Sequence, residues 1–356
     1  MINKEFINNL SPVEVEFLSG YISSLVHEKV KNDTDNHENL NVIVHSCPKC
    51  GSTHFVKNGF NPKKRQKYRC KDCNSVFLST TGTLFQRSKL SYNEWTSFIA
   101  GEINGLTLLQ QSVNISRTLS TCFYMRHKLY KAIETFVYDQ MLHDEIKLDF
   151  TYFKINLKGT KPKNMPRISK KRGKSDKHDS LRGLNGHKIC VLTAIDSGDD
   201  HIAAIAGLGA ENIEKLSSFD HFFKKGSKII LDSKPGFNKY LKEKGHICET
   251  VPRGKHISRK GDHINDINQF HQELKELNRK YRGISTRHLQ DYLNFHCFFK
   301  KLCYSTEPRR RKIQTYLDVM KTKRMLFNKD ICTINMPISL YKAYGAYHYG
   351  IFANVS

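Results

Sequence analysis

Two cysteine pairs with the spacing of metal-binding knuckles lie in the first quarter of the chain. Cys47 and Cys50 form one C-x2-C pair, Cys70 and Cys73 form another, and nineteen residues separate the pairs. Four thiolates at this spacing are typical of a structural zinc site, in which two tight turns each offer two sulfurs to one tetrahedral ion. Two redox-active pairs or four unrelated buried thiols are the alternatives. We predict a zinc ribbon over residues 42–80, with folding energy supplied by the metal.

The residues around the cysteines predict the rest of this N-terminal region. Asn58-Gly59 is typical of a turn between two short strands. Ahead of the ribbon, a capping box at Ser11 predicts a helix that runs to about Lys29, and a polar linker completes residues 1–41. The residues expected in the ribbon strands are Phe55, Val56, Tyr68, Val76 and Phe77.

The charge of the chain predicts a polyanionic partner. Its 356 residues include 58 Lys and Arg against 34 Asp and Glu, a net charge of +24. Nucleic acid is the first candidate because each neutralised phosphate releases a counterion. A membrane surface is the alternative, but no long basic amphipathic helix, signal-peptide core or apolar stretch of spanning length is evident. The scattered cysteines outside the knuckles predict buried thiols in a reducing cytoplasm.

A helical segment over residues 88–140 follows the ribbon. Trp95, Phe98 and Ile99 mark one helix that ends near Gly105. A short helix at residues 106–112, a turn, and a longer helix capped by Ser116 then have the outline of a helix-turn-helix. An ordinary helical hairpin is the alternative. If the segment binds DNA, the start of its last helix offers Arg117 and Thr118 for contacts with bases or phosphates.

Strand and helix patterns alternate from residue 144 to 305, which predicts a mixed α/β domain. The expected strands are 146–153, 189–196, 201–208, 228–232 and 246–251, and the expected helices are 211–223, 237–244 and 262–281. Between the first two strands, residues 161–188 hold ten Lys or Arg against two acids. The segment is either a solvated loop or, as this net charge favours, a flexible clamp on nucleic acid. Its central cations are Lys170, Lys171, Arg172 and Lys174.

Two aspartates in the predicted strands are candidates for metal chemistry. Asp149 lies inside an apolar strand and Asp232 ends another. If the sheet brings them to one crevice, two carboxylates can hold Mg²⁺ or Mn²⁺, which activates water and stabilises a leaving oxygen in phosphodiester cleavage. Asn268 and Lys275 are seven residues apart, hence on one face of the last predicted helix. Asn268 offers a carbonyl oxygen to a metal and Lys275 a phosphate contact, although a solvated helix surface is the simpler interpretation.

These features together resemble a known family. The zinc ribbon, the segment LSYNEWTSFIAGEINGLTLLQQSVNISRTLSTCFYMRHKL, the strand LDFTYF with the basic loop after it, and INQFHQELKELNRKYRGISTRHLQDYLNF look like bacterial zinc-ribbon insertion-sequence transposases of the ISXO2-like type. The resemblance covers about residues 42–300 in one order. It implies a ribonuclease H-like core with a catalytic triad of two aspartates and an asparagine, preceded by the ribbon and the helix-turn-helix region. Residues 306–356 fall outside it and are predicted to be a basic C-terminal extension.

The resemblance assigns roles to individual residues. Asp149, Asp232 and Asn268 would hold catalytic Mg²⁺ or Mn²⁺, with Lys275 beside them, while the four cysteines hold structural zinc. The family usually has Asp-Glu-Thr where this chain has Asp149-Phe150-Thr151, so the metal ligand is kept and the adjacent acid is absent. The residues after Asp232 also depart from the family's usual small or polar pair.

The implied function is transposition. The enzyme would bind the terminal inverted repeats of an insertion sequence in double-stranded DNA, cut the strand with a metal-activated water, and transfer the freed 3′-hydroxyl to target DNA. A homo-oligomer on DNA is expected because two ends must be joined, and the expected location is the bacterial cytoplasm at the nucleoid. The alternatives are a catalytically inactive DNA-binding protein or regulator, and an RNA-processing nuclease with the same core.

Overall fold

The computed structural model describes residues 44–62, 65–159, 188–234, 236–252, 255, 257–258, 261, 263–321 and 326–340. Two compact units divide the chain: the first holds the ribbon, and the second holds residues 82–89 and everything from Asn93 onward. The helix predicted from Ser11 and the basic loop at residues 161–187 lie outside the described residues. The domain boundaries expected from the sequence stay a prediction.

The ribbon is a three-stranded antiparallel sheet built on aromatic contacts. Its strands, in the order β1-β2-β3, are Phe55–Phe60, Gln66–Cys70 and Val76–Leu78. The rings of Phe55, Tyr68 and Phe77 pack with centroids 5.7–5.9 Å apart. The turn predicted at Asn58-Gly59 was wrong. Both residues lie in β1, where the register shifts by one residue and Gly59 has a φ of +65°, so the glycine forms a β-bulge.

Three helices open the second unit: α1 (Tyr92–Ile103), α2 (Leu108–Asn114) and α3 (Leu119–Tyr138). Thr107 caps α2 in a capping box with Gln110. The prediction that Ser116 caps α3 was wrong. Ser116 lies in the turn with a φ of +51°, and Thr118 is the cap because its hydroxyl accepts a hydrogen bond from the Thr121 amide.

A buried polar network joins these three helices. The carboxylate of Glu102 on α1 accepts hydrogen bonds from the guanidinium of Arg126 at 2.7 Å, from the Tyr130 hydroxyl at 2.8 Å and from the Gln111 amide at 2.8 Å. Arg126 also donates to the Leu106 carbonyl at 2.8 Å. Because every strong donor and acceptor in it has a partner, the network fixes the angles between α1, α2 and α3.

A five-stranded mixed sheet forms the centre of the second unit, in the order β6-β5-β4-β7-β8. β4 pairs antiparallel with β5 and parallel with β7. The sequence located all five strands to within one residue at each end. Their bounds are Glu145–Lys154 for β4, Lys188–Asp196 for β5, His201–Leu208 for β6, Lys228–Asp232 for β7 and Ile247–Val251 for β8.

Short helices cover one face of the sheet. These are α4 (Ile213–Ser217), a 3₁₀ turn at Asp220–Phe222, and α5 (Phe237–Glu243). The continuous helix predicted at 211–223 was wrong: it ends at Ser217, and the chain after it buries Phe219 and Phe222 in the core of this face. The same core contains Leu148 and Leu231 from the sheet.

Longer helices cover the other face. α6 (Asn265–Lys280) packs on β4 and β5, and α7 (Leu289–Tyr304) packs on β6 and on α3. Two more helices, α8 (Arg309–Met320) and α9 (Asn328–Cys332), follow in the region expected to be a basic extension. α8 packs on α3 and buries Tyr316, whose ring centroid lies 5.0 Å from that of Phe298. Among the described residues, no helix combines the length and apolarity needed to span a bilayer.

Candidate functional site

Asp149 and Asp232 lie beside each other on one face of the sheet. β4 and β7 pair in parallel with Leu148 opposite Leu231, so the next residue on each strand is an aspartate. Because side chains alternate between the faces of a sheet, both carboxylates lie on the face opposite the two leucines. Neighbouring strands run about 4.8 Å apart. The sequence-predicted pair of acids is therefore brought together, on the side covered by α6.

His271 on α6 lies against Asp149 through a chain of contacts. Its Nε2 is 2.6 Å from the Thr193 hydroxyl, which donates to the Asp149 carbonyl oxygen at 2.9 Å. Since the hydroxyl proton is used in that bond, His271 Nε2 must be the donor to Thr193. The Nδ1 atom then carries a lone pair, and it lies 3.9 Å from Asp149 Oδ2. Burial lowers the pKa of His271 to about 4, so the ring is neutral near pH 7.

A lysine side chain occupies the other side of Asp149. Lys234 Nζ lies 3.4 Å from Asp149 Oδ1 and 2.8 Å from Glu211 Oε1. Burial opposes the charge of Lys234, but the two carboxylates outweigh it and raise the lysine pKa. Burial likewise works against the charge of Glu211, and Lys234 more than compensates, so the pKa of Glu211 is lowered. Asp149 and Glu211 therefore share the ammonium group of Lys234.

Asn268 and Lys275 lie along one flank of α6. On the opposite flank, Glu273 pairs with Lys300 of α7 at 2.9 Å. Since α7 lies over β6 and β7 is on the far side of β4, the flank that carries Asn268 and Lys275 faces the strand of Asp232. Asn268 is half-buried and one helical turn before His271, whereas Lys275 is exposed. A site bounded by both strands and this flank stays a prediction.

The donors gathered here suit a hard divalent cation. Carboxylates of Asp149 and Asp232 and the amide oxygen of Asn268 are oxygen ligands of the kind that Mg²⁺ and Mn²⁺ prefer. The ammonium group of Lys234 against Asp149 shows that the position stabilises positive charge. The chemistry of these residues therefore suits a divalent cation.

The four ribbon cysteines converge on one point. All four sulfurs lie within 4.8 Å of one another, with Cys47 Sγ 3.7 Å from Cys73 Sγ and Cys50 Sγ 3.6 Å from Cys70 Sγ. Tetrahedral zinc with Zn–S bonds of 2.3 Å separates its sulfurs by about 3.8 Å. The geometry fits a closed zinc site, as the spacing of the cysteines predicted.

Each knuckle has a residue with a left-handed backbone conformation directly after its second cysteine. The residue after the second cysteine is Gly51 in the first knuckle, with a φ of +76°, and Asn74 in the second, with a φ of +56°. Glycine and asparagine are the residue types that adopt this conformation most readily. The repeated turn brings each pair of sulfurs to the same side of the chain.

Of the residues predicted to contact DNA, Arg117 and Thr118 are exposed, and the four cations of the basic loop lie outside the described residues. Residues 116–120, which span the turn before α3 and its first two residues, are exposed. Arg117 Nε donates to Glu94 Oε1 at 2.5 Å, and the Thr118 hydroxyl caps α3. A phosphate that contacts Arg117 would therefore compete with Glu94. Lys170, Lys171, Arg172 and Lys174 lie outside the described residues.

Three residues around Asp149 were not predicted as part of the site. Lys234 was only one of the residues after Asp232, and Glu211 and His271 were only members of the helices predicted at 211–223 and 262–281. The usable signal was position: Glu211 and Lys234 follow the ends of β6 and β7, at the edge of the sheet where ligands bind in α/β proteins.

Two segments of the chain match known protein-family models. Residues 141–298 match the ISXO2-like transposase domain, and residues 41–74 match the InsA N-terminal domain, a zinc ribbon. A protein of Halobacterium salinarum described as an uncharacterized protein in transposable element ISH50 is 22% identical over 274 residues, which cover 76% of this chain and 90% of that protein.

A second relative matches the ribbon region. The insertion element iso-IS1N protein InsA of Shigella dysenteriae is 44% identical over 39 residues, which are 11% of this chain and 42% of that protein. The chain therefore contains an ISXO2-like transposase domain at residues 141–298 and an InsA-type zinc ribbon ahead of it.

Proposed function

We propose that this protein is a DNA transposase that binds the terminal inverted repeats of its element and carries out metal-dependent strand cleavage and transfer. The observation that carries the proposal is the adjacent placement of Asp149 and Asp232 on one face of the sheet, inside the segment that matches a transposase domain. Two carboxylates on neighbouring strands, with an amide on the helix above them, are an arrangement suited to phosphodiester cleavage.

A ribonuclease H-like core is part of the proposal. The mixed order β6-β5-β4-β7-β8 supports it, because the first strand of the domain is central and carries Asp149. Phe150, at the position where the family has a second acid, is buried in the core on the opposite face. A glutamate there would not share the face of Asp149, so its absence removes no ligand from that face.

When bound, the divalent cation would lower the pKa of water and neutralise charge on the leaving oxygen. Asp149 and Asp232 would hold it through carboxylate oxygens, and Asn268 through its amide oxygen. Lys234 would leave Asp149 as the cation enters and keep its contact with Glu211. His271, neutral near pH 7, adds no charge that repels the cation, and its Nδ1 can accept a proton beside Asp149. Lys275, exposed at the next turn of α6, would contact a DNA phosphate.

The ribbon and the helices before the sheet would supply recognition. We propose α2 and α3 as a helix-turn-helix, with the exposed start of α3 against DNA and Arg117 moving from Glu94 to a phosphate. The basic loop, with Lys170, Lys171, Arg172 and Lys174, would follow the backbone. Zinc in the ribbon would be structural, because four cysteines leave no open coordination position.

The test compares binding and cleavage of DNA that carries the ends of the element. We expect Asp149→Asn and Asp232→Asn to bind as the wild type does and to cut at most about one part in a thousand as fast, because they remove charge from the cation site. Glu145→Gln is the matched control: it lies on β4 and the same sheet face as Asp149, but its carboxylate pairs with Lys228. It should cut normally.

The outcomes separate the proposed enzyme from its alternatives. Wild type that binds these ends but never nicks them with Mg²⁺ or Mn²⁺ would indicate an inactive DNA-binding protein. Cleavage of an RNA–DNA hybrid in preference to duplex DNA would indicate an RNA-processing nuclease.

A further inference from the structure

A second cluster of metal-ligand residue types lies between α3 and α7, apart from the ribbon cysteines and the Asp149 site. His127 is in the middle of α3, and its side chain is 1% exposed. His288 closes a 3₁₀ turn at Thr286–His288, and Asp291 lies in the first turn of α7. The three-residue separation of His288 and Asp291 places them on one side of the helix start, facing α3.

One potential ligand atom from each of the three side chains points to a common position. All three atoms lie within 4.8 Å of one another. His127 Nδ1 is 3.8 Å from Asp291 Oδ2, and His288 Nδ1 is 3.6 Å from the same oxygen. All three atoms are buried, and none of them has a hydrogen-bond partner among the described residues.

Unpaired polar atoms at this depth are costly, which makes their convergence informative. A buried donor or acceptor without a partner destabilises the folded state, because it has lost its hydrogen bonds to water. Hydrogen bonds do not explain why these atoms lie together. The distances from the two Nδ1 atoms to Asp291 Oδ2, 3.8 and 3.6 Å, exceed hydrogen-bond distance. Two ligand atoms on one Zn²⁺ ion lie about 3.3 Å apart. The two distances from histidine nitrogens to Asp291 Oδ2 are therefore within about 0.5 Å of the separation on one ion.

The charges around the cluster leave Asp291 available as a ligand. Lys131 Nζ pairs with the other carboxylate oxygen of Asp291 at 2.7 Å and with Glu134 at 3.1 Å. Oδ2 is therefore the free lone-pair donor. An imidazole binds a metal through the lone pair of a ring nitrogen, and His127 Nδ1 and His288 Nδ1 both lie toward Oδ2.

We propose that His127, His288 and Asp291 form a site for a divalent transition metal ion such as Zn²⁺. Two imidazole nitrogens and one carboxylate oxygen are a donor set that suits zinc better than magnesium. The two histidines line a cavity of about 750 Å³, a volume in the range of small-ligand sites. A fourth ligand from that side would complete the coordination. The ion would join α3 directly to α7.

The test is the zinc content of the purified full-length chain after equilibration with Zn²⁺ and removal of free metal. Wild type is expected to retain about two ions per chain, one in the ribbon and one in this cluster. His288→Ala and His127→Gln should retain about one, because a two-ligand remnant binds weakly. His296→Ala is the matched control, since His296 is on α7 with the same 12% exposure as His288 but contacts Glu273.

Cobalt substitution assigns each ion to its ligands. Cobalt in the ribbon should give strong near-ultraviolet absorption from its sulfur ligands in every variant. The weak visible bands of a nitrogen and oxygen site should be present in wild type and His296→Ala, and absent in His288→Ala and His127→Gln. Wild type that retains only the ribbon ion, or His288→Ala that retains both ions, would overturn the proposal. Neither result depends on whether the chain cleaves DNA.

Discussion

The ammonium group of Lys234 lies 3.4 Å from Asp149 Oδ1, on the face of the sheet that also carries Asp232. The same ammonium is 2.8 Å from Glu211. A protein that has two neighbouring aspartates on one face must balance their charge, and here a lysine from the segment after β7 does so. The contact joins the folding of the site to its proposed use, because a divalent cation at Asp149 would take over this balancing role.

Replacement of Lys234 by methionine should tighten divalent-cation binding. The lysine competes with the cation for Asp149, and its removal leaves two carboxylates with one positive charge fewer nearby. We expect the Mg²⁺ concentration for half-saturation, measured by calorimetry, to fall several-fold, with a loss of about 1 kcal/mol in unfolding free energy. Lys239→Met is the control, since its pair with Glu243 is exposed. Unchanged or weaker Mg²⁺ binding in Lys234→Met would count against competition.

Replacement of Glu102 by alanine should destabilise the second unit strongly. The change leaves the buried guanidinium of Arg126 without its carboxylate and removes the acceptor of two further hydrogen bonds. Breaking a buried ion pair in this way costs about 3–5 kcal/mol. Denaturant unfolding should show this loss, whereas Glu94→Ala, which removes the half-exposed pair with Arg117, should cost less than about 1 kcal/mol. Equal losses in the two variants would contradict the account of the network.

Replacement of Cys50 by serine should remove zinc from the ribbon. The side chain is exposed, so loss of packing cannot explain a large effect. Because zinc binding supplies folding energy to a module with a small core, the ribbon should unfold while α1 to α9 stay folded. Amide hydrogen exchange of residues 44–78, measured beside Cys332→Ser as a second exposed cysteine, reports this result. A folded ribbon in Cys50→Ser with no bound zinc would refute the dependence.

Stability should fall as the pH drops below about 6.5, the ordinary pKa of histidine. Burial lowers the pKa of His201 in the folded protein, and its Nδ1 donates to the Asp199 carbonyl. The folded state therefore binds fewer protons than the unfolded state in this range, and the free energy of unfolding decreases as the pH falls. His201→Phe, which retains a ring against Phe270, should make this decrease smaller.

A histidine at the surface provides the comparison for that pH series. His263 is exposed, so His263→Gln is the matched substitution of a histidine that does not pack in the core. A slope that His201→Phe leaves unchanged would show that the buried ring of His201 does not contribute.

The elements with a clear periodicity could be predicted from the sequence, and those decided by tertiary contacts could not. The strands around Asp149 and Asp232 were located because their apolar runs are short and bounded by polar residues. The helix expected at 211–223 breaks because Phe219 and Phe222 pack into the sheet, a contact between distant segments. The cap of α3 shifted from Ser116 to Thr118 because the turn needs one left-handed residue first.

For the candidate site, the two aspartates could be predicted from the sequence, whereas their contacts with distant segments could not. Asp149 and Asp232 were identified by residue type and by their strands, and parallel pairing puts them side by side. Lys234, Glu211 and His271 were missed as neighbours of Asp149 because their contacts connect four segments of the chain, and no local spacing encodes them. His127 and His288 were missed for the same reason, since α3 and α7 meet only in the folded protein.

The measurement that tests the central claim most directly is strand cleavage by Asp232→Cys in Mg²⁺ and in Mn²⁺. A thiolate is a poor ligand for Mg²⁺ and a better one for the softer Mn²⁺. If Asp232 binds the catalytic cation, the variant should be inactive with Mg²⁺ and regain cleavage with Mn²⁺, while Asp232→Asn regains much less. Cleavage by Asp232→Cys at the wild-type rate in Mg²⁺ would contradict the assignment of Asp232 as a ligand of the catalytic cation.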